Sequence, residues 1–113
     1  MSHLLFSYGT LQDEAVQLNI FKRTLNGRKD AIKGYRMSRV AIRDYEVVAI
    51  SGLSYHLILI PGRPDDLIDG MVFEITDEEL LRADDYESED YKRVLAPTVS
   101  GLDVWVYVEA GNS

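Results

Sequence analysis

Short runs of aliphatic, β-branched and aromatic residues recur along the 113-residue chain, and most are cut off by a glycine, a proline or a polar turn pair. Leu4-Leu5-Phe6 runs into Gly9, Val47 to Ile50 into Ser51-Gly52, Tyr55 to Ile60 into Pro61-Gly62, and the strand-like Tyr91 to Thr98 into Ser100-Gly101. Runs of this length favour strands, and breakers this close together leave room only for tight connections. Helical spacing appears in two places. Ala15, Val16, Leu18, Ile20 and Phe21 follow Asp13-Glu14, and a second helix is expected from about Asp77 to Asp85, where Thr76 and Glu79 have capping-box spacing.

The remaining strands are expected at His3 to Tyr8, Ala31 to Ile42, Gly70 to Ile75 and Leu102 to Glu109. Within Ala31 to Ile42, the core-facing candidates are Ile32, Tyr35, Met37 and Val40, and Trp105 is read as a core residue. Val47 to Ile50 and Tyr55 to Ile60 suggest a hairpin, with Pro61 to Asp66 as a surface loop. Strands outnumber helices and do not alternate strictly with them, which points away from a parallel βαβ sheet. The fold class expected is α+β: a small mixed, mostly antiparallel β-barrel with two short helices, forming a single domain over 1–113. A frayed tail is expected at Ala110 to Ser113.

A formal net charge of −7 opposes a protein that wraps nucleic acid, since that binding needs clustered cations. Arg23, Arg28, Lys29 and Lys33 form the only basic concentration and read as a solvated loop and strand edge. With no cysteine, disulfides, thiolate catalysis and cysteine-bound zinc are excluded. The first strand lacks the basic flank and length of a secretory signal, and no run is long enough to span a membrane, so a cytoplasmic location is the expectation.

The common nucleophile templates are missing. There is no Gly-x-Ser-x-Gly elbow, and His3 and His56 lie in or beside apolar strands. Asp65-Asp66 and Asp84-Asp85 are adjacent pairs without a histidine at ligand spacing, so no metal site is expected. Two segments remain. In Ser7-Tyr8-Gly9-Thr10-Leu11 a strand ends at a glycine and leads toward a helix, which can gather backbone N–H groups around a carboxylate; a plain turn reads the same way.

The second segment, Asp84 to Arg93, crowds acidic residues at a helix C-terminus, where the helix dipole disfavours negative charge. Like charges, the dipole and burial beside Tyr86 and Tyr91 would each raise the pKa of Glu87, as a proton carrier near neutrality requires; the other reading is a solvated acidic turn. Asp44-Tyr45-Glu46 repeats the Asp-Tyr-Glu triplet but leads directly into an apolar run, placing Glu46 at a strand start.

The chain resembles the γ-glutamylcyclotransferase-like family, which includes γ-glutamylamine cyclotransferases and plant avirulence-induced-gene proteins. The residues that carry the likeness are Leu5 to Leu11, Ile68-Asp69-Gly70-Met71-Val72-Phe73-Glu74-Ile75, Asp85-Tyr86-Glu87 with Tyr91-Lys92-Arg93, and Trp105 to Val108. Where many members have Leu before the Asp-aromatic-Glu triplet and Gly after it, this chain has Asp84 and Ser88. The resemblance implies a fold built round a small barrel, with Tyr8, Gly9, Thr10 and Leu11 holding the substrate together with Tyr91, and Glu87 as the acid/base residue. It implies a cofactor-independent reaction on a small-molecule γ-glutamyl amine, amino acid or peptide, in which the α-amine attacks the γ-carbonyl to give 5-oxoproline and a free amine. A non-catalytic binding or protein-interaction domain keeping the same pocket is the alternative.

Overall fold

The computed structural model describes residues 2–41, 55–87 and 91–110. In chain order they form β1 (Ser2–Ser7), a 3-10 turn (Thr10–Gln12), α1 (Glu14–Phe21), β2 (Gly27–Lys33) and β3 (Tyr35–Ala41). Then come β4 (Tyr55–Pro61), β5 (Leu67–Thr76), α2 (Asp77–Tyr86), β6 (Tyr91–Pro97) and β7 (Asp103–Glu109). Among the described residues no helix is long and apolar enough to cross a membrane.

The main sheet has five strands in the order β2-β5-β1-β7-β6. Its pairings are antiparallel except β1 with β7, which run parallel with Leu5 opposite Trp105. Strands β3 and β4 make a separate antiparallel ribbon. The architecture is thus the expected α+β, mostly antiparallel one, but its strands do not join into a closed barrel. The sheet curls until β2 meets the end of β6, where Ile32 and Thr98 form an isolated bridge and Val99 N–H donates to Ala31 O at 2.8 Å. No continuous ladder completes the ring among the described residues.

Apolar residues cover both faces of this sheet, which explains why Leu4-Leu5-Phe6 does not alternate with polar residues. Phe6, Val72 and Val106 face one way and pack with Ile32, Val104 and Leu59 of the ribbon. Their neighbours Leu5, Phe73 and Tyr107 face the other way, against Phe21 of α1 and Leu80 and Ala83 of α2. Because successive strand side chains point to opposite sides, adjacent apolar residues serve two cores at once.

Helix starts follow the sequence closely. The Asp13 side chain caps α1 by accepting from Ala15 N–H at 2.8 Å. Thr76 and Glu79 form the expected capping box, with Thr76 N–H on Glu79 Oε1 at 2.9 Å and Glu79 N–H on Thr76 Oγ1 at 3.2 Å. Arg23, just after α1, grips the same Glu79 through Nε and Nη2 at 2.8 and 2.9 Å, so this one carboxylate ties both helices together.

The single strand expected from Ala31 to Ile42 is instead two. Gly34 adopts φ 88, a conformation that L side chains resist, and the chain leaves the sheet there to begin the ribbon. Of the core candidates in that stretch, Ile32 is buried and Tyr35 partly so, whereas Met37 is exposed although it pairs with buried Leu59; the side chain of Val40 lies outside the described residues. Strand β5 begins at Leu67, earlier than Gly70, and Arg28, Lys29 and Lys33 lie on β2. Trp105 is only partly buried, with the Arg93 guanidinium 4.5 Å from its ring centroid. The Val47 to Ile50 arm of the expected hairpin lies outside the described residues, as do 111–113 of the expected frayed tail.

Candidate active site

Strand β1 ends at buried Ser7, whose Oγ accepts from Gly9 N–H at 3.3 Å. Gly9 ends the strand at φ −141 and ψ −137, and the reversal is made by the 3-10 turn after it, where Gln12 N–H donates to Gly9 O at 3.1 Å. The first N–H groups of such a turn, here those of Thr10 and Leu11, have no carbonyl within the turn to bond. The strand end is fixed from behind by Gly70: a Cβ there would lie 2.4 Å from Ser7 O and 2.5 Å from the Phe6 ring.

The side chains of this loop divide their duties. Leu11 is buried in the helix-side core, so only its backbone is available to a ligand. The Tyr8 hydroxyl donates to Tyr107 O at 2.7 Å and receives a backbone hydrogen bond from Leu59. Burial, reinforced by Tyr91 and Glu87 nearby, pushes its pKa far above the usual tyrosine range. Thr10 is exposed, and its Oγ1 lies 2.9 Å from the hydroxyl of Tyr86.

That contact reaches the end of α2, where Glu87 is the C-terminal cap and donates its N–H to Ala83 O at 3.1 Å. Burial alone pushes the Glu87 carboxyl up to about 7. The acidic neighbours, expected to share in this shift, are not its cause. No hydrogen bond to a described residue holds the carboxyl, yet its charge acts on both Tyr8 and Tyr107. Tyr91, at the start of β6, donates its hydroxyl to Leu57 O at 2.7 Å and acts electrostatically on Tyr8.

Glu87, the Tyr8-to-Leu11 loop and Tyr91 therefore gather on one side of the protein. Three further residues at the same place escape sequence reasoning. Asp84 Oδ1 accepts from the Tyr107 hydroxyl at 2.7 Å and pairs with Arg93 Nε at 3.3 Å. Arg93 Nη1 is buried without a hydrogen-bond partner among the described residues. Asp84 sits in the acidic segment and Arg93 in the Tyr-Lys-Arg run, but only the pairing of Arg93 with Tyr107 across β6 and β7 brings them to one point. A shallow groove lined by Arg28, Lys29, Asp30, Ser100 and Leu102 shares no residue with this cluster.

Residues 5–113 match the family described as gamma-glutamyl cyclotransferase, AIG2-like. No curated protein matches the chain at a significant level. Among solved structures, At3g28950.1 from Arabidopsis thaliana superposes with a TM-score of 0.73 and 27% identity, over 96% of this chain and 62% of that one. At5g39720.1 from the same plant gives 0.76 and 23%, over 99% and 71% of the two chains. A gamma-glutamyl cyclotransferase shares the fold with a TM-score of 0.69 at 16% identity, over 100% of this chain and 69% of that one. The chain thus spans less than two thirds of the length of At3g28950.1.

Proposed function

The chain belongs to the gamma-glutamyl cyclotransferase, AIG2-like family, and from that premise we propose that it converts a γ-glutamyl amine, amino acid or peptide into 5-oxoproline and a free amine. Glu87 is the general acid/base of this reaction. The observation that carries the reading is a carboxyl raised to about 7 by burial, at a helix end tied to a loop with backbone donors. A group in that range can both take and return a proton at neutral pH.

The Thr10 and Leu11 amides hold the substrate α-carboxylate, with Gly9 leaving open space for it and the Tyr91 ring flanking the bound molecule. Gly9 N–H, already directed at Ser7 Oγ, contributes less. Glu87 takes a proton from the α-ammonium, and the freed amine attacks the γ-carbonyl carbon of the same molecule. The tetrahedral intermediate collapses as the C–N bond to the departing amine breaks; Glu87 returns its proton to that amine, and the second proton shed by the ring nitrogen passes to it as well, so that the lactam is neutral and the amine leaves as an ammonium. Holding the reactive conformer supplies much of the rate, since well-aligned intramolecular attack is worth roughly 7 to 11 kcal/mol. The chemistry calls for no redox change and no cofactor.

In this reading the partner is a small γ-glutamyl molecule, with no nucleic acid or membrane involved, and the absence of cysteine suits a reducing, cytoplasmic setting. The test is 5-oxoproline release from a panel of γ-glutamyl amines, dipeptides and glutathione. Turnover of any member without added cofactor supports the proposal. Saturable binding without turnover across the panel would replace it with a non-catalytic binding module.

A further inference from the structure

One residue touches both halves of the cluster by two different groups. The backbone carbonyl of Tyr107 accepts from the Tyr8 hydroxyl at 2.7 Å, and its own hydroxyl donates to Asp84 Oδ1 at 2.7 Å. Tyr8 opens the proposed substrate loop, while Asp84 lies in the last turn of α2, one turn before Glu87. Tyr107 is buried on β7, an interior strand paired with both β1 and β6, so it has little freedom to move. Arg93 reaches the same Asp84 oxygen while lying over the Trp105 ring.

We propose that Tyr107 is a positioning residue that sets the placement of Glu87 relative to the Tyr8-to-Leu11 loop, with Asp84 as its lever on α2. The helix end needs such a brace. Its final backbone bond is Glu87 N–H to Ala83 O, and the other side-chain tie from this end to the loop is the exposed Thr10–Tyr86 contact, which water can replace. Without the Tyr107–Asp84 bond, the last turn of α2 frays toward solvent and carries Glu87 out of its buried position. The proposal rests on Glu87 being the acid/base residue, but the brace itself can be tested without turnover.

The experiment follows the Glu87 side-chain carboxyl by carbon-13 NMR titration in the unmodified protein, Tyr107→Phe, Asp84→Ala and Asp84→Asn, with steady-state kinetics alongside. The groups around Glu87 are Tyr8 and Tyr107, which feel its charge, Tyr91 beside Tyr8, and the Asp84–Arg93 pair held on the Tyr107 hydroxyl. Tyr107→Phe and Asp84→Ala should each lower the Glu87 midpoint by about one unit toward an ordinary glutamate. Each should cut kcat about tenfold with KM changed by less than about threefold. Asp84→Asn keeps an oxygen that can accept from Tyr107 and should recover most of what Asp84→Ala loses, and the Tyr107→Phe/Asp84→Ala pair should be no worse than either alone.

A Glu87 midpoint unchanged in both Tyr107→Phe and Asp84→Ala overturns the brace. Should Tyr107→Phe fail to fold, the two Asp84 variants decide the matter at a half-exposed position. If the unmodified protein releases no 5-oxoproline, the catalytic reading falls, and the titration still judges the brace.

Discussion

The hydroxyls of Thr10 and Tyr86 lie 2.9 Å apart, joining the loop after β1 to the residue just before Glu87 across 76 positions of sequence. Both groups are exposed, so the bond exchanges readily with water and its net worth is about 0.5 to 1.5 kcal/mol. Tyr86→Phe removes it and keeps the ring. Steady-state kinetics on a confirmed substrate should give a KM raised roughly three- to tenfold, as that energy dictates, with kcat within about twofold. A variant with lower kcat and unchanged KM would place Tyr86 in the chemical step instead.

Glu87→Gln keeps the shape of the side chain and removes the base. Circular dichroism should report an unchanged fold, while turnover should fall by about a hundredfold or more. Glu46→Gln, in the repeated Asp-Tyr-Glu triplet, should leave turnover nearly intact, and Glu89→Gln should act only through local charge; both positions lie outside the described residues.

The burial that raises Glu87 to about 7 has a kinetic and a thermodynamic signature. The rate should rise with pH through about 7 as the carboxylate forms. Stability should move the other way. Between about pH 4.5 and 7 the folded protein keeps a proton that the unfolded chain releases, so unfolding becomes easier as pH rises through that window. The full effect is on the order of 3 kcal/mol. Urea melts at pH 5 and pH 8 should find Glu87→Gln more stable than the unmodified protein at pH 8, with most of that gain gone at pH 5.

Glu79 shows the opposite sign. The Arg23 guanidinium, helped by the Thr76 amide and hydroxyl, holds its carboxyl down at about 2. Its stabilisation is present above pH 4.5, the ordinary value, and is lost as pH falls through about 2. Glu79→Ala loses both the helix cap and the link to α1, and should cost about 2 kcal/mol in a urea melt at pH 7. An Arg23→Ala change should cost less, because Arg23 is half exposed and the capping box survives it.

Much of the scaffold is legible in the sequence because its signals are local. Thr76 and Glu79 specify the start of α2 across three residues, and Tyr91 to Pro97 and Asp103 to Glu109 pair around a turn as their composition suggests. The split between β2 and β3 is hidden because Gly34 sits inside an otherwise strand-like run, and only its positive φ reveals the break. Met37 looks like core and shares a face with buried Leu59, yet it is left exposed, because hydrophobicity cannot tell how far along a strand the packing reaches. Glu87 stands out in sequence through its acidic surroundings, yet its pKa shift comes from burial, a property of the assembled fold. The Tyr107–Asp84 bond spans 23 positions and depends on how α2 settles against β7, which no spacing rule anticipates.

The parallel pairing of β1 with β7 sets the order in which such a molecule can be made. Leu5 finds its neighbour Trp105 only after everything between them has left the ribosome, so β1 waits with one edge bare until β7 has been made. Its other edge is offered β5 sooner, and the antiparallel β1–β5–β2 unit is the largest part of the sheet that can assemble in the meantime. Arg93, Trp105 and Tyr107 all follow that unit along the chain. A nascent chain halted before β7 therefore lacks Tyr107, and the end of α2 that carries Glu87 waits without the strand it settles against.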